Sequence, residues 1–156
     1  MKRRIVVIDG MGGGIGAGLI GKLREIDPEP EIIALGANAA ATERMIKAGA
    51  HRGASGENAV KVSVSLGDFI LGPIGIVISN SLMGEITASM AEAILAAPGE
   101  RILIPLLHDH FYLAGVEQPP LGKMIEKAVE YLKRRMVLKA GDSPGANDPL
   151  PEGDGH

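Results

Sequence analysis

The feature that most constrains this chain is a run of glycines placed directly after a short apolar segment. Residues 5–8 read Ile-Val-Val-Ile, and residues 9–16 read Asp-Gly-Met-Gly-Gly-Gly-Ile-Gly. An unbroken β-branched run of this kind predicts a buried strand. Apolar residues then recur at helical spacing over residues 15–26, which predicts a helix directly after the glycines. A strand, a glycine loop and a helix in this order are typical of proteins with a parallel sheet.

The rest of the chain repeats this alternation of strands and helices. Further strands are predicted at residues 31–35, 50–54, 68–71 and 101–106, with a final edge strand at 111–116. Helices are predicted at residues 38–48, 57–66, 76–82, 87–96 and 121–136. Strands that alternate with helices form parallel sheets with right-handed crossovers, so we predict an α/β fold. Its architecture is a Rossmann-like three-layer α/β/α sandwich with a mostly parallel sheet of five or six strands.

The segment from residue 57 to residue 66 carries two conflicting signals. Val60, Val62, Val64 and Leu66 alternate with polar residues, a pattern that by itself indicates a strand. A parallel sheet, however, needs a crossover between its third strand and the next one, and this segment is the only one available. We therefore predict a helix here.

Composition sets the domain organisation. We predict one Rossmann-like domain over residues 1–138, followed at residues 139–156 by a disordered tail rich in Gly, Pro and Asp. The chain has no cysteine, which excludes disulfides, thiolate metal sites and cysteine nucleophiles. The apolar stretch at residues 69–78 is broken by two glycines and a proline, so we expect no membrane span and a cytoplasmic protein.

Charge and aromatic content argue against a nucleic-acid partner. The formal net charge is −3, and the only runs of three basic residues are Lys2-Arg3-Arg4 and Lys133-Arg134-Arg135, the latter inside a predicted helix. A protein that binds nucleic acid through phosphates needs a broad basic surface. Two Phe, two Tyr and no Trp also leave few side chains for stacking on bases.

The glycine loop is the strongest functional signal in the chain. Glycines in such a loop permit positive φ angles and let backbone N–H groups approach phosphate oxygens, while the start of the helix attracts an anion. The alternative is that they only make a close-packed turn. We predict a nucleotide or dinucleotide site formed by Gly10, Met11, Gly12, Gly13, Gly14, Ile15 and Gly16.

The spacing of the glycines shows which known nucleotide-binding loops this loop resembles. It fits neither G-x-G-x-x-G nor the Walker A loop, which needs a Lys-Ser/Thr pair. The pattern Gly10-x-x-x-Gly14-Ile15-Gly16 resembles that of the short-chain dehydrogenases. The Tyr-x-x-x-Lys of that family has no counterpart, because Tyr131 is followed by Arg135 and Tyr112 by Val116 at that spacing.

Two further segments are candidates for contact with a ligand. The second strand ends without the carboxylate that normally holds an adenosine ribose. Asn38 could make a weaker ribose contact or simply cap a helix, and Arg44 could meet a 2′-phosphate. NAD is disfavoured, while a mononucleotide or NADP stays open. The fourth strand ends in Gly72, Pro73 and Gly75, which we expect to face the glycine loop across the switch point of the sheet.

The His108-Asp109-His110 stretch follows the fifth predicted strand. An extended backbone there would point both imidazoles to one face, where they could act in proton transfer or bind a metal with Asp9 or Glu85. An ordinary loop is the simpler interpretation. His108 and His110 are therefore weak catalytic candidates, and we predict no metal site.

Several linked motifs resemble a family of short bacterial proteins of unknown function. They are residues 8–16 (IDGMGGGIG), 33–38 (IALGAN), 56–59 (GENA) and 72–76 (GPIGI). The resemblance covers roughly residues 3–136, and it implies a Rossmann-like fold without an established activity. His108-Asp109-His110 departs from the pattern of that family.

Three hypotheses about function follow. The first is a protein that binds a nucleotide or dinucleotide through its glycine loop, with an unassigned activity. The second is a small NAD(P)-dependent oxidoreductase-like enzyme with His108 or His110 as proton carrier. The third is an interaction module that forms a homodimer, because so apolar a chain could bury part of its surface in a second copy.

Overall fold

A computed structural model describes residues 2–106 and 111–137. Its sheet has five parallel strands in the order β3-β2-β1-β4-β5, so that β1 lies at the centre. The strands are β1 (Arg4–Asp9), β2 (Glu31–Gly36), β3 (Arg52–Ser55), β4 (Phe69–Pro73) and β5 (Glu100–Ile104).

Helices cover both faces of the sheet. They are α1 (Gly14–Ile26), α2 (Ala39–Lys47), α3 (Glu57–Ser63), α4 (Ala88–Ala96) and α5 (Leu121–Val137). Helices α1, α2 and α5 share one apolar core with the sheet, and α3 and α4 share the core on the opposite face. Two 3₁₀ segments, Val64–Leu66 and Ile74–Val77, follow α3 and β4. This arrangement confirms the α/β prediction of a Rossmann-like three-layer sandwich.

The central strand shows why its sequence is apolar without interruption. Ile5 and Val7 belong to the core beneath α1 and α5, whereas Val6 and Ile8 belong to the core beneath α3 and α4. All four side chains are fully buried. A strand that is covered on both faces has no solvent side, so it cannot show the apolar-polar alternation of a half-exposed strand.

Helix α3 settles the conflict over residues 57–66. The segment forms α3 and a 3₁₀ turn between β3 and β4, as the crossover argument predicts. Val60 and Val64 point into the core, whereas Val62 is 65% exposed. The apolar-polar alternation in this segment is therefore not that of a strand, because Val60, Val62 and Val64 do not share one buried face.

Two predicted elements are wrong. The helix expected at residues 76–82 is instead the 3₁₀ segment followed by turns, because Asn80 and Leu82 have positive φ angles that a right-handed helix does not allow. The edge strand expected at 111–116 is absent, and the described residues contain five strands rather than six. His108, His110 and the tail at 139–156 lie outside the described residues. None of the described helices is long and apolar enough to cross a membrane.

Candidate functional site

A cleft of about 730 Å³ opens where β1 and β4 end. The chain leaves β1 for β2 on one side and returns to β4 on the other, and such a switch point is where open α/β sheets bind ligands. One wall is the glycine loop, residues 10–16, and the other is formed by the segment that follows β4. The lining residues are 9–15, 73, 75, 78–83, 106, 111 and 121.

Gly13 fixes the path of the glycine loop. Its φ angle is +75°, and a Cβ at this position would lie 2.8 Å from backbone atoms of Ala41 in α2. Its N–H donates to the carbonyl of Gly10 at 2.9 Å, which closes the turn before α1 begins. Only glycine combines this conformation with such a close approach of two backbones.

Asp9 holds the loop from within. Its carboxylate is 4% exposed and accepts hydrogen bonds from the N–H groups of Gly10 (2.8 Å) and Gly16 (2.7 Å). Burial raises the pKa of Asp9 above its ordinary value, although N–H donation from Gly16, Gly10 and Ile15 opposes that rise and nearby Glu85 adds to it. An internal carboxylate therefore uses part of the anion-binding capacity at the start of α1.

Asn38 and Glu85 brace the loop from the other side. Glu85 accepts hydrogen bonds from the N–H of Met11 and from the side-chain amide of Asn38, the latter at 2.7 Å. The Asn38 amide also donates to the carbonyl of Met11 at 2.9 Å, and its oxygen caps α2 by accepting the N–H of Ala41. Asn38 is thus a helix cap that positions the loop, and it does not line the cleft.

Two backbone donors of the loop stay unused within the described chain. The N–H groups of Gly12 and Gly14 have no hydrogen-bond partner among residues 2–106 and 111–137, and both residues line the cleft. The guanidinium of Arg44, an exposed residue of α2, lies beside them. Its Nη1 atom is 3.4 Å from the carbonyl oxygen of Gly12. A positive charge and two free donors therefore stand together at the start of α1.

The opposite wall contains a left-handed turn, residues 79–85. The φ angles are +67° at Asn80, +53° at Leu82, +56° at Met83 and +85° at Gly84. Backbone bonds close the turn, since the N–H of Asn80 donates to the carbonyl of Ile86 at 2.7 Å. Leu82 and Met83 thereby turn towards the cleft, which they both line.

The three residues predicted at the end of β4 divide between two roles. Pro73 and Gly75 line the cleft opposite the glycine loop. Gly72 does not line the cleft. A Cβ at this position would clash with the carbonyl oxygen of Ile8 in β1. Gly72 therefore allows β1 and β4 to pair closely. Gly16 likewise packs inside, where a Cβ would meet Met45 at 2.5 Å.

Much of the cleft lining is apolar, and sequence reasoning missed most of these residues. Ile78, Leu82, Leu106 and Leu121 contribute to its lining, together with the half-exposed Phe111. Nothing in the sequence distinguishes such residues from ordinary core leucines and isoleucines. They come together only because β4, β5 and α5 converge at this end of the sheet.

No three His, Asp or Glu side chains form a group that could hold a metal within the described residues. His108 and His110 lie beyond these residues, so their roles in proton transfer or metal binding stay predictions. The oxidoreductase-like hypothesis depends on them and stays a prediction as well.

The family described as Domain of unknown function (DUF3842) matches residues 4–137, from β1 through α5. The chain belongs to this family, which confirms the resemblance to a family of unknown function. A search of the curated proteins found no match.

Proposed function

We propose that this member of the family binds a nucleotide in the cleft, with a phosphate on the glycine loop. Two observations carry the proposal: Gly12 and Gly14 line the 730 Å³ cleft at the start of a 13-residue helix, and their N–H groups have no partner within the described residues. A helix start concentrates unpaired N–H groups and partial positive charge, both of which favour a phosphate.

Arg44 supplies the full positive charge that the loop itself lacks. Asp9 and Glu85 place carboxylates on the inner side of the loop, and their charge opposes an incoming anion. Arg44 stands on the outer side, next to Gly12 and Gly14, where it compensates that charge. Arg44 does not itself line the cleft, so its contribution is the attraction of its charge for a phosphate on the other side of the loop.

The apolar part of the cleft suits the base of a nucleotide. Ile78, Leu106 and Phe111 provide aliphatic and aromatic surface within the same cavity as the glycine loop. Ligand sites of this kind combine mostly apolar walls with a few polar groups that fix the orientation. A bound nucleotide would then place its phosphate at the glycine loop and its base against these apolar side chains.

The test is native mass spectrometry of the protein purified without added nucleotide, followed by thermal shift with ATP, ADP, GTP, NAD and NADP. A ligand that binds only the folded state raises the melting temperature. We expect at least one of these nucleotides to be retained or to stabilise the protein. If none does so, the proposal is wrong and the glycines serve only as a packed turn.

Arg44→Gln probes the charge beside the glycine loop. Losing this positive charge should lower nucleotide affinity about tenfold. Lys47→Gln is the matched control, because Lys47 is an exposed cation one turn further along α2 that pairs with Glu43 rather than with the loop. Equal affinities of the two variants, measured by titration calorimetry, would remove Arg44 from the site.

The double variant Gly12→Val, Gly14→Val probes the loop itself. A Cβ at either position meets nothing closer than 3.4 Å, so we expect the fold to persist. The added side chains would nevertheless cover the two free N–H groups and abolish nucleotide binding. Unchanged affinity in a folded double variant would contradict phosphate binding at the loop.

A further inference from the structure

We infer that the cleft accepts a mononucleotide and excludes a dinucleotide, because a bridge between Asn38 and Glu85 closes the path across the top of β1. This inference rests on the proposed function. In doubly wound sheets a dinucleotide lies across the switch point, with one half on each side of the central strand. Its pyrophosphate must therefore pass over the end of that strand.

In this protein that passage is occupied by protein atoms. Glu85 belongs to the segment after β4 and Asn38 follows β2, yet their side chains meet at 2.7 Å above the start of the glycine loop. Beneath them, a Cβ at Gly10 would lie 3.2 Å from the Glu85 carboxylate and 3.0 Å from Leu82. No ligand atom fits between the loop and the bridge.

The lining of the cleft shows the same division. It comes from the glycine loop, from the segment after β4, and from residues 106, 111 and 121. No residue of β2 or α2 contributes to it. The cavity therefore lies on the β4 side of the central strand and does not continue to the β2 side, where a dinucleotide would place its second half.

The protein's own groups fill the β2 side. The hydroxyl oxygen of Thr42 accepts the N–H of Gly36 at 3.1 Å and the hydroxyl of Ser55 at 2.7 Å. Thr42 is only 6% exposed, and a Cβ at Gly36 would collide with it. The position from which dinucleotide-binding proteins contact an adenosine ribose is therefore packed against α2.

Charge acts in the same direction as shape. The Glu85 carboxylate already accepts the N–H of Met11, the first donor after Gly10 in the loop. A second phosphate placed over Met11 would lose that donor and face a carboxylate at close range. Like charges at such distances are unfavourable. A ligand with its phosphate at Gly12 and Gly14 avoids both costs.

The experiment compares mononucleotides with dinucleotides on the full chain. Titration calorimetry with AMP, GMP, CMP and UMP is set beside NAD and NADP at one salt concentration. We expect at least one mononucleotide to bind about tenfold or more tightly than either dinucleotide, a margin that one blocked phosphate contact is enough to produce.

Asn38→Ser opens the bridge while keeping a capping oxygen for α2, since serine is a good N-cap but too short to reach Glu85. The ratio of dinucleotide to mononucleotide affinity should rise about tenfold in this variant. Glu85→Gln is a second variant of equal side-chain length, in which an amide NH₂ must face either the Asn38 amide or the N–H of Met11, so one of these two hydrogen bonds is lost. Asn58→Ser, at an exposed position in α3, should leave the ratio unchanged.

The outcomes separate the two ideas. A wild-type protein that binds a dinucleotide as tightly as its best mononucleotide overturns this inference and leaves the proposed function standing. Absence of binding by every probe overturns both. An unchanged ratio in folded Asn38→Ser and Glu85→Gln proteins shows that the bridge does not select the ligand, which also overturns the inference.

Discussion

The glycine loop and the left-handed turn face each other across one cleft, and each combines glycine with larger residues at positive φ angles, namely Met11 and Gly13 in the loop and Asn80, Leu82, Met83 and Gly84 in the turn. The loop places glycine at position 13, where the backbone of α2 leaves no room for a Cβ. The turn places Leu82 and Met83 in the left-handed region, and the Met83 side chain is 89% exposed. Positive φ therefore requires glycine only where a neighbour also occupies the space. Elsewhere it costs roughly 1–2 kcal/mol per residue.

The two segments also differ in what holds them. The glycine loop depends on the buried carboxylate of Asp9, which joins its two ends through Gly10 and Gly16. The left-handed turn closes through its own backbone, mainly between residues 80 and 86. We expect changes in the loop to alter the stability of the whole protein, and changes in the turn to have small local effects.

Gly13→Ala should produce the largest effect. The added Cβ meets backbone atoms of Ala41 at 2.8 Å in a conformation that alanine disfavours, so the free energy of unfolding should fall by about 3 kcal/mol or more. Gly14→Ala is the control, because its Cβ meets only Arg44 at 3.4 Å, and a change below about 1 kcal/mol is expected. Equal urea midpoints for the two variants would contradict the account of Gly13.

Asp9→Asn should lower stability at neutral pH by about 1–2 kcal/mol, because an amide NH₂ would face one of the two N–H donors. Because burial raises the pKa of Asp9, the folded state takes up a proton more readily than the unfolded state. The stability due to this protonation is fully present below the ordinary aspartate pKa of about 3.9 and is lost as pH rises through the folded-state pKa.

The free-energy difference between wild type and Asp9→Asn should accordingly increase as the pH is lowered from neutral towards 4. Urea unfolding of both proteins across this range measures it, and the titration of carboxylates that do not interact with Asp9 cancels in the difference. A difference that shrinks on acidification would mean that the loop hydrogen bonds outweigh burial at Asp9.

Met83→Gly should have the smallest effect on the free energy of unfolding, and it should raise stability rather than lower it. Glycine removes the backbone strain of the left-handed conformation at an exposed position. The free energy of unfolding, measured by thermal unfolding, should therefore rise by about 0.5–1 kcal/mol. Val62→Gly, at an exposed position within α3, should instead lower stability by a similar amount. Destabilisation by Met83→Gly would show that the side chain makes a contact worth more than the backbone strain.

The sequence predicts most of the fold because buried strands and amphipathic helices leave distinct patterns. Residues 5–8 and α5 are examples, and the crossover requirement of a parallel sheet was enough to identify α3. The errors at 76–82 and 111–116 have a common cause. Both segments are apolar but have no regular period, because residues such as Ile78 and Phe111 line the cleft.

The candidate site was predictable only in part. The glycine loop, Pro73 and Gly75 follow from position in the chain, because loops after parallel strands meet at one edge of the sheet. The bridge from Asn38 to Glu85 does not follow, since it joins two side chains 47 residues apart whose types also suit a helix cap and a surface turn. Its contacts depend on the path of the left-handed turn, which the sequence does not indicate.

The central position of β1 governs the order in which this chain can fold. On one edge Ile5 pairs with Ile32, which is available early, but on the other edge it pairs with Phe69. Closing so long a loop is entropically costly, and pairings distant in sequence slow folding. During synthesis the strand that leads into the glycine loop is made before β4 and stays open on one edge until β4 arrives. Only then do the two walls of the cleft come together, so the ligand site is a late product of folding.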